Sequence, residues 1–245
     1  MRPLCALLHG YPNNHLVWSD QLGALGEFAD VLNLSLPGSE SGEVTPDELS
    51  LSRLIRQTAQ TIAASPHEKV ILMGHDIGAF ILAEVASLLG DRVLAQIFLA
   101  GMDFSLFRKR LLTSDQALRS WYVFLLQLPQ FPEKLVPVFR RSLLKGIYRG
   151  SPDLSSEAPH GLSPVAIYRE LGAGLRLPPK TRSAVPTLFL FGEDDLYIGA
   201  PKKTQIDEFY ADARMDVFPG GHWFFRENSA PVNQRISSFL QEVGA

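Results

Sequence analysis

Three residues of types that suit covalent catalysis each follow an apolar run of the sequence. Asp76 lies between two glycines in the segment Gly74–Gly78, and Asp195 and His222 follow two later apolar runs. An aspartate that attacked an acyl carbon would form an unstable mixed anhydride, whereas attack on a saturated carbon forms an alkyl ester. A histidine supported by a second carboxylate can then activate the water that hydrolyses such an ester.

The sequence around Asp76 predicts a strand, a sharp turn and a helix. Val70–Met73 is a short continuous apolar run, typical of a strand buried on both faces. From Ile77 to Leu89 the apolar residues recur at helical spacing. Glycines on each side of the turn favour a close approach of the chain to itself. Such a turn raises the central side chain above the carboxyl end of the strand, at a helix N-terminus.

Strands and helices alternate on both sides of this turn, which predicts an α/β fold with a mostly parallel, doubly wound sheet. The predicted strands are Leu4–Leu8, Asp30–Leu34, Val70–Met73, Val93–Ala100, Thr187–Phe191 and Arg214–Phe218. The predicted helices are Leu16–Ala29, Pro46–Ala64, Ile77–Leu89, Lys202–Tyr210 and Pro231–Val243. Thr45 and Glu48 have the spacing of a capping box at the start of the second helix.

The alternation stops between residues 104 and 183, where the pattern predicts helices and no strand. The helical patches are Asp115–Leu128, Pro132–Tyr148 and Pro164–Leu175. Because this insertion follows the strand that ends at Ala100, we expect a helical cap over the carboxyl edge of the sheet. The predicted organisation is a core of residues 1–103 and 184–245 with a cap of residues 104–183, forming one functional domain.

Composition narrows the classes of function. The chain has 245 residues, 46% of them hydrophobic, and a net charge of -3. It has no long basic run, so nucleic acid and anionic membranes are not expected partners. Cys5 is the only cysteine, and no cofactor or metal site is expected. The apolar run Leu4–Leu8 is too short for a signal peptide, which predicts a soluble cytoplasmic protein.

Four motifs in this order resemble the α/β-hydrolase superfamily, and within it the epoxide hydrolase and haloalkane dehalogenase branch, whose nucleophile is aspartate. The motifs are His9-Gly10-Tyr11-Pro12, Gly74-His75-Asp76-Ile77-Gly78, Gly192-Glu193-Asp194-Asp195 and Gly221-His222-Trp223. The order nucleophile, acid, histidine is that of α/β-hydrolases. Against the full fold the chain starts at the third strand, so no leading antiparallel hairpin is expected.

The resemblance implies a role for each loop at the carboxyl edge. Asp76 would be the nucleophile, His222 the base for water and Asp195 the residue that orients His222. The backbone N–H groups of Tyr11 and Ile77 would form the oxyanion hole. In epoxide hydrolases, lid tyrosines hydrogen-bond the leaving oxygen.

For the leaving group and substrate the candidates are Tyr168, Tyr122, Trp121 and His9. Tyr168 resembles the second lid tyrosine, and Tyr122 is the nearest candidate for the first. His9 is otherwise expected to shape the oxyanion loop, and His75 to pack beneath the turn. A lining of aromatic residues predicts a small, apolar, uncharged substrate; its expected members are Phe80, Trp121, Phe124, Trp223 and Phe224.

Alternatives remain open at this point. A haloalkane or haloacid dehalogenase would use the same triad, although Ile77 stands where haloalkane dehalogenases commonly have tryptophan. A non-catalytic ligand-binding protein on a hydrolase scaffold is a further alternative. Asp194 competes with Asp195 for the acid role, and Asp103 is a second possible acid. The oligomeric state cannot be read from the sequence.

Overall fold

A computed structural model of the chain describes residues 1–40, 44–45, 47–126 and 163–245, with only the backbone of 124–126 and 163–166. Six parallel strands form one sheet in the order β2-β1-β3-β4-β5-β6. The strands are β1 Leu4–Leu8, β2 Asp30–Leu34, β3 Val70–His75, β4 Val93–Leu99, β5 Thr187–Gly192 and β6 Ala213–Phe218. Every predicted strand is present, and the predicted α/β fold is confirmed.

Ten α-helices accompany the sheet in the part of the chain that the structure describes. They are α1 Leu22–Gly26, α2 Leu51–Ala63, α3 Ile77–Leu89, α4 Phe104–Thr113, α5 Gln116–Arg119, α6 Trp121–Leu126, α7 Ser163–Gly174, α8 Lys203–Asp207, α9 Phe224–Glu227 and α10 Ser229–Glu242. Short 3-10 helices occur at His15–Trp18 and Gly90–Arg92.

The core has two halves, one on each face of the sheet. Along β1, Leu4, Ala6 and Leu8 belong to one hydrophobic cluster, whereas Cys5 and Leu7 belong to the other. Successive strand residues point to opposite faces, so a strand covered on both sides needs an unbroken apolar run. This explains why apolar runs in the sequence predict the central strands.

The predicted helix Leu16–Ala29 is wrong as one element. The chain forms a 3-10 turn at His15–Trp18, whose first turn is capped by the Asn14 side chain, and then the short helix α1. Two glycines, at positions 23 and 26, lower the helix propensity of this segment.

The predicted capping box forms, but it does not begin a helix. The backbone N–H of Thr45 donates to Glu48 Oε2 at 2.7 Å, and the Thr45 hydroxyl accepts from the Glu48 N–H at 3.3 Å. These bonds close a turn, and α2 starts only at Leu51. The N–H of Leu51 donates instead to Glu170 of α7 at 2.8 Å, so a residue distant in sequence caps α2.

The segment between β4 and β5 contains α4, α5, α6 and α7. The predicted helices Asp115–Leu128 and Pro164–Leu175 overlap α5, α6 and α7, whereas Pro132–Tyr148 lies outside the described residues. The division into core and cap stays a prediction.

The turn between β3 and α3 is packed without space for additional atoms. A Cβ on Gly78 would lie 2.1 Å from the carbonyl oxygen of Leu8, and a Cβ on Gly74 would lie 2.6 Å from the backbone nitrogen of Ala79. Both distances are far below van der Waals contact, and the opposing atoms belong to the backbone. The predicted need for glycine at both positions is therefore confirmed.

We predict that Gly78→Ala destabilises the protein strongly. Overpacking of a filled site usually costs about 1–3 kcal/mol, and here the new methyl group would meet backbone atoms of β1 that cannot move independently. Thermal unfolding followed by circular dichroism measures the effect. The control is Gly23→Ala in α1, where an added Cβ meets nothing within 4 Å. An unchanged melting temperature for Gly78→Ala would contradict the packing described here.

Candidate active site

Asp76 occupies a strained turn at the carboxyl end of β3. Its φ angle is 50° and its ψ angle is -126°, a conformation that non-glycine residues rarely adopt. The residue is only 6% exposed. Carboxylate oxygen Oδ2 accepts a hydrogen bond from the backbone N–H of Tyr11 at 3.1 Å, and the backbone N–H of Ile77 also bonds the carboxylate. The two predicted oxyanion-hole donors thus already meet at one side chain.

His222 and Asp195 form a buried hydrogen-bonded pair beside Asp76. His222 Nδ1 lies 2.7 Å from Asp195 Oδ2. Since a carboxylate only accepts, Nδ1 carries the proton of this bond. The other oxygen of Asp195 accepts from the backbone N–H groups of Tyr197 at 2.7 Å and Ile198 at 3.0 Å. Asp195 is therefore fixed on both oxygens and holds His222 with Nε2 directed at Asp76.

The distance between His222 Nε2 and Asp76 Oδ1 is 4.0 Å. This is too long for a hydrogen bond. A serine nucleophile would need a bond to the histidine that removes its proton, whereas an ionised aspartate has no proton to lose. The arrangement suits a histidine that acts on water.

Burial and neighbouring charges shift the pKa values of Asp76 and His222. Burial raises the pKa of Asp76, against the opposing effects of the His222 charge and of the N–H groups of Ile77 and Tyr11. Burial alone would lower the pKa of His222, but the charge of Asp195, the hydrogen bond to it and the charge of Asp76 raise the pKa above its ordinary value. The protonation state of His222 therefore depends on whether Asp76 is charged.

Two further residues tie the loops of the site together. His75 Nε2 donates to the carbonyl oxygen of His222 at 3.1 Å, and burial lowers the pKa of His75 well below its ordinary value, so it is neutral. The indole N–H of Trp223 donates to Asn13 Oδ1 at 2.7 Å. Asn13, which the sequence analysis missed, thus joins the loop after β1 to the histidine loop.

Asp194 and Asp103, the alternative candidates for the acid, are not hydrogen-bonded to His222. Asp194 is exposed. Asp103 Oδ1 accepts from the N–H groups of Ser105 at 2.7 Å and Leu106 at 3.1 Å, and its Oδ2 accepts from the Tyr210 hydroxyl at 2.6 Å. Asp103 is the N-cap of α4, and the structure pairs neither residue with His222.

His9, a predicted leaving-group candidate, has both ring nitrogens hydrogen-bonded to groups outside the triad. Its Nδ1 donates to the carbonyl oxygen of Gly10 at 2.9 Å, and its Nε2 accepts from the N–H of Leu36 at 3.1 Å. Burial lowers the pKa of His9 to about 4. The two ring nitrogens thus join the loop after β1 to the loop after β2.

Four tyrosine rings surround the triad. Tyr168 meets Tyr11 edge to face with ring centroids 5.4 Å apart and Tyr122 at 5.9 Å. Tyr197 contacts Tyr122 at 5.7 Å and His222 at 5.3 Å. The hydroxyls of Tyr122 and Tyr168 are hydrogen-bonded to each other, and burial followed by the charge of Asp76 raises both pKa values well above the ordinary value. Both phenols are protonated donors.

The predicted apolar lining is wrong for three residues. Trp121 is 65% exposed, because it lies one position before Tyr122 on α6 and adjacent helical residues point in different directions. Phe80 packs in the core against Phe104 and Phe107, and Phe224 belongs to the cluster on the opposite sheet face. The side chain of Phe124 lies outside the described residues. Tyr197 was missed, although its place two residues after Asp195 is a signal.

The sequence profile of the alpha/beta hydrolase family matches residues 6–235. The chain belongs to this family. The hydrolase is 28% identical over 263 residues to epoxide hydrolase 3 of Mus musculus, covering 98% of the chain and 71% of that relative.

Solved structures share the fold of the hydrolase. An epoxide hydrolase of Bacillus megaterium superposes with a TM-score of 0.80 at 19% identity, covering 98% of the hydrolase and 94% of that structure. A Salmonella enterica protein proposed to be an acyltransferase superposes with a TM-score of 0.83 at 20% identity, covering 99% and 89%. At this identity the likeness shows the fold alone.

Membrane-spanning helices and metal-binding clusters are both absent from the described ranges. Outside 41–43, 46 and 127–162, no helix of the hydrolase is long and apolar enough to cross a membrane. Within the same ranges, no group of three or more histidine, cysteine, aspartate or glutamate side chains is arranged to hold a metal ion.

We predict that Asp76→Asn raises the melting temperature at neutral pH. The folded state raises the pKa of Asp76 above 3.8, so the native chain binds more protons than the unfolded chain between the two values, and stability falls as pH rises through that interval. Asparagine carries no charge, so the variant does not lose the free energy that burial of an ionised carboxylate costs. Each 1 kcal/mol gained corresponds to about 2–4 °C in a chain of this size.

The gain in melting temperature of Asp76→Asn should shrink as the pH falls towards 3.8, the ordinary pKa of an aspartate. Differential scanning calorimetry across this pH range measures it. The exposed Asp194→Asn serves as the control and should leave the melting temperature unchanged. A lower melting temperature for Asp76→Asn at neutral pH would contradict the described burial of a charged carboxylate.

Proposed function

We propose that this hydrolase opens epoxides by way of an ester on Asp76. The observation that carries the proposal is the pair of hydrogen-bonded hydroxyls of Tyr122 and Tyr168. Both lie close enough to Asp76 for its charge to raise their pKa values. An epoxide releases a strongly basic alkoxide, which needs a proton donor. A buried carboxylate nucleophile with protonated phenols near it supplies both requirements.

In the first step, Asp76 Oδ1 attacks a carbon of the epoxide, and the carbon–oxygen bond of the ring breaks. The alkoxide takes the proton of Tyr122 or Tyr168. Oδ2 stays bonded to the N–H of Tyr11 and becomes the carbonyl oxygen of the ester. The nucleophilic oxygen is then the one that faces His222.

In the second step, His222 removes a proton from water, and the resulting hydroxide attacks the carbonyl carbon of the Asp76 ester. Ester formation cancels the charge of Asp76, which is one of the charges that raise the pKa of His222. The first step therefore favours the neutral imidazole that the second step requires. The negative charge develops on Oδ2, which the N–H of Tyr11 bonds, and one such donor is worth roughly 3 kcal/mol in sites of this kind.

Collapse of this intermediate releases the diol with Oδ1 of Asp76 as its second oxygen. The protons balance. One proton of the water passes through His222 to the diol oxygen that leaves the ester, and the other returns to the tyrosine that protonated the first alkoxide. The relatedness to proteins named epoxide hydrolases supports this reading.

The dehalogenase alternative is less well supported. The resemblance to haloalkane dehalogenases implies an indole N–H donor for the halide. Trp121 is exposed, and the N–H of Trp223 is already bonded to Asn13. Trp18, the remaining tryptophan, is buried in the core cluster on one face of the sheet. A non-catalytic binding protein would not need the buried charges of Asp76, Asp195 and His222, which are costly to bury.

Intact-protein mass spectrometry of His222→Gln should detect the ester. Because the base is gone, we expect incubation with styrene oxide to add the mass of the whole epoxide. An alkyl bromide should add nothing; a bromine-free alkyl adduct together with free bromide would instead indicate a dehalogenase. The double variant Asp76→Asn/His222→Gln is the control and should stay unmodified with both reagents.

The two tyrosines can be tested by the rate of adduct formation. Tyr122→Phe and Tyr168→Phe in the His222→Gln background should each slow alkylation by styrene oxide by about hundredfold, the usual size of a proton-donor effect. The matched control is Tyr210→Phe, which also removes a buried hydroxyl bonded to a carboxylate, that of Asp103. Equal rates for all three variants would contradict the assigned proton donors.

A further inference from the structure

A fully buried glutamine holds the loop that carries Asp195. Gln116, on α5, is 0% exposed. Its Nε2 donates to the carbonyl oxygen of Tyr197 at 2.7 Å, and its Oε1 accepts from the N–H of Gly199 at 3.1 Å. One amide thus bridges two backbone groups on either side of Ile198, much as a neighbouring strand would.

Two arginines from the same segment extend this contact. Arg119 Nη1 donates to the carbonyl oxygen of Asp195 itself. Arg110, on α4 and 3% exposed, donates to the carbonyl oxygen of Ala200 at 2.9 Å. We call residues 195–200 the acid loop and these three side chains the clamp. The clamp binds backbone groups at both ends of the acid loop and in its middle.

The clamp affects the orientation of the Asp195 carboxylate through the turn that it holds. Asp195 Oδ1 accepts from the N–H groups of Tyr197 and Ile198, which belong to the turn that Gln116 bridges. The direction of those N–H groups fixes the rotation of the carboxylate, and that rotation aims Oδ2 at His222 Nδ1. A change in the turn is therefore transmitted to the bond between Asp195 and His222.

We propose that Gln116, assisted by Arg119, is a positioning residue that sets the bond between Asp195 and His222 and thereby the second step of the reaction. The proposal rests on the roles proposed above for these two residues. Gln116 is too far along the chain from any of the four motifs to be found from them. It lies in the segment predicted to form the cap, so the cap helices and the acid loop are held as one unit.

The same helices also carry a proposed proton donor. Tyr122 follows α5 within α6, and its ring contacts Tyr197 of the acid loop at 5.7 Å. The clamp therefore also fixes the spacing between the proton donor of the first step and the histidine of the second. The buried polar network at this contact thus joins residues of both proposed steps.

The test compares Gln116→Leu with Gln205→Leu. Gln205 is also buried and also bonds Arg110, but its remaining partners are Thr113 and the N–H of Lys202, outside the acid loop. Both variants remove a buried amide from one network, and only the first removes bonds to the acid loop. The groups that face His222 are Asp195, Asp76, His75 and Tyr197, all unchanged in both variants.

The first readout is the pKa of His222 measured by NMR titration without substrate. Asp195 raises this pKa by its charge and its hydrogen bond, so a misdirected carboxylate in Gln116→Leu should lower it, while Gln205→Leu leaves it unchanged. An unchanged pKa in folded Gln116→Leu, or an equal fall in both variants, would overturn the proposal. This readout needs no turnover, so it stands apart from the question of whether epoxides are the substrate.

The second readout separates the two steps with styrene oxide. In Gln116→Leu we expect ester hydrolysis to slow by about tenfold to hundredfold, the range for small misplacements in active sites, so that the ester accumulates. Alkylation should slow less than ester hydrolysis, because Tyr122 and Asp76 themselves are unchanged. Slowing of alkylation alone would overturn the proposal, while absence of any adduct in His222→Gln would instead reject the epoxide chemistry. If Gln116→Leu does not fold, Arg119→Met replaces it at a partly exposed position and must lower the pKa of His222 for the proposal to stand.

Discussion

The close packing of the turn after β3 against the end of β1 is the constraint on which the site depends. Gly78 lies so near the carbonyl oxygen of Leu8 that no side chain fits between them. This contact brings the N–H of Tyr11, in the loop after β1, to the Asp76 carboxylate, while the strained backbone of Asp76 keeps its side chain over the sheet edge. One oxygen of the carboxylate is thereby bound and the other faces His222, so the two oxygens differ before any substrate arrives.

Electrostatic coupling between buried groups follows from this packing. Burial of Asp76 outweighs the stabilising effects of the His222 charge and of two N–H groups, which makes its charge costly and its neutralisation by alkylation favourable. The same charge supports the protonated form of His222. Each step of the proposed reaction therefore prepares the next one. Asp195, held on both oxygens, keeps the imidazole in one orientation throughout.

Much of this arrangement could be predicted from the sequence because it depends on local signals. The four central strands are mostly apolar runs, and the turn at Asp76 has its two glycines. Gln116 and Tyr197 escaped prediction, since their contacts join segments about 80 residues apart. Trp121 and Phe80 were wrongly expected to line the site, because composition identifies aromatic residues but not the direction in which a helix presents them. Among the described residues, the rings around the triad include those of four tyrosines and of Trp223.

The most direct test of the account is a single turnover in water enriched in oxygen-18, with enzyme in excess over styrene oxide. The account predicts that the diol of this turnover contains no heavy oxygen, because its new oxygen comes from Asp76, and that the peptide containing Asp76 gains one heavy oxygen. A diol that carries the heavy oxygen in the first turnover, with an unlabelled Asp76 peptide, would mean that water attacks the epoxide directly. That result would contradict the role of Asp76 as nucleophile.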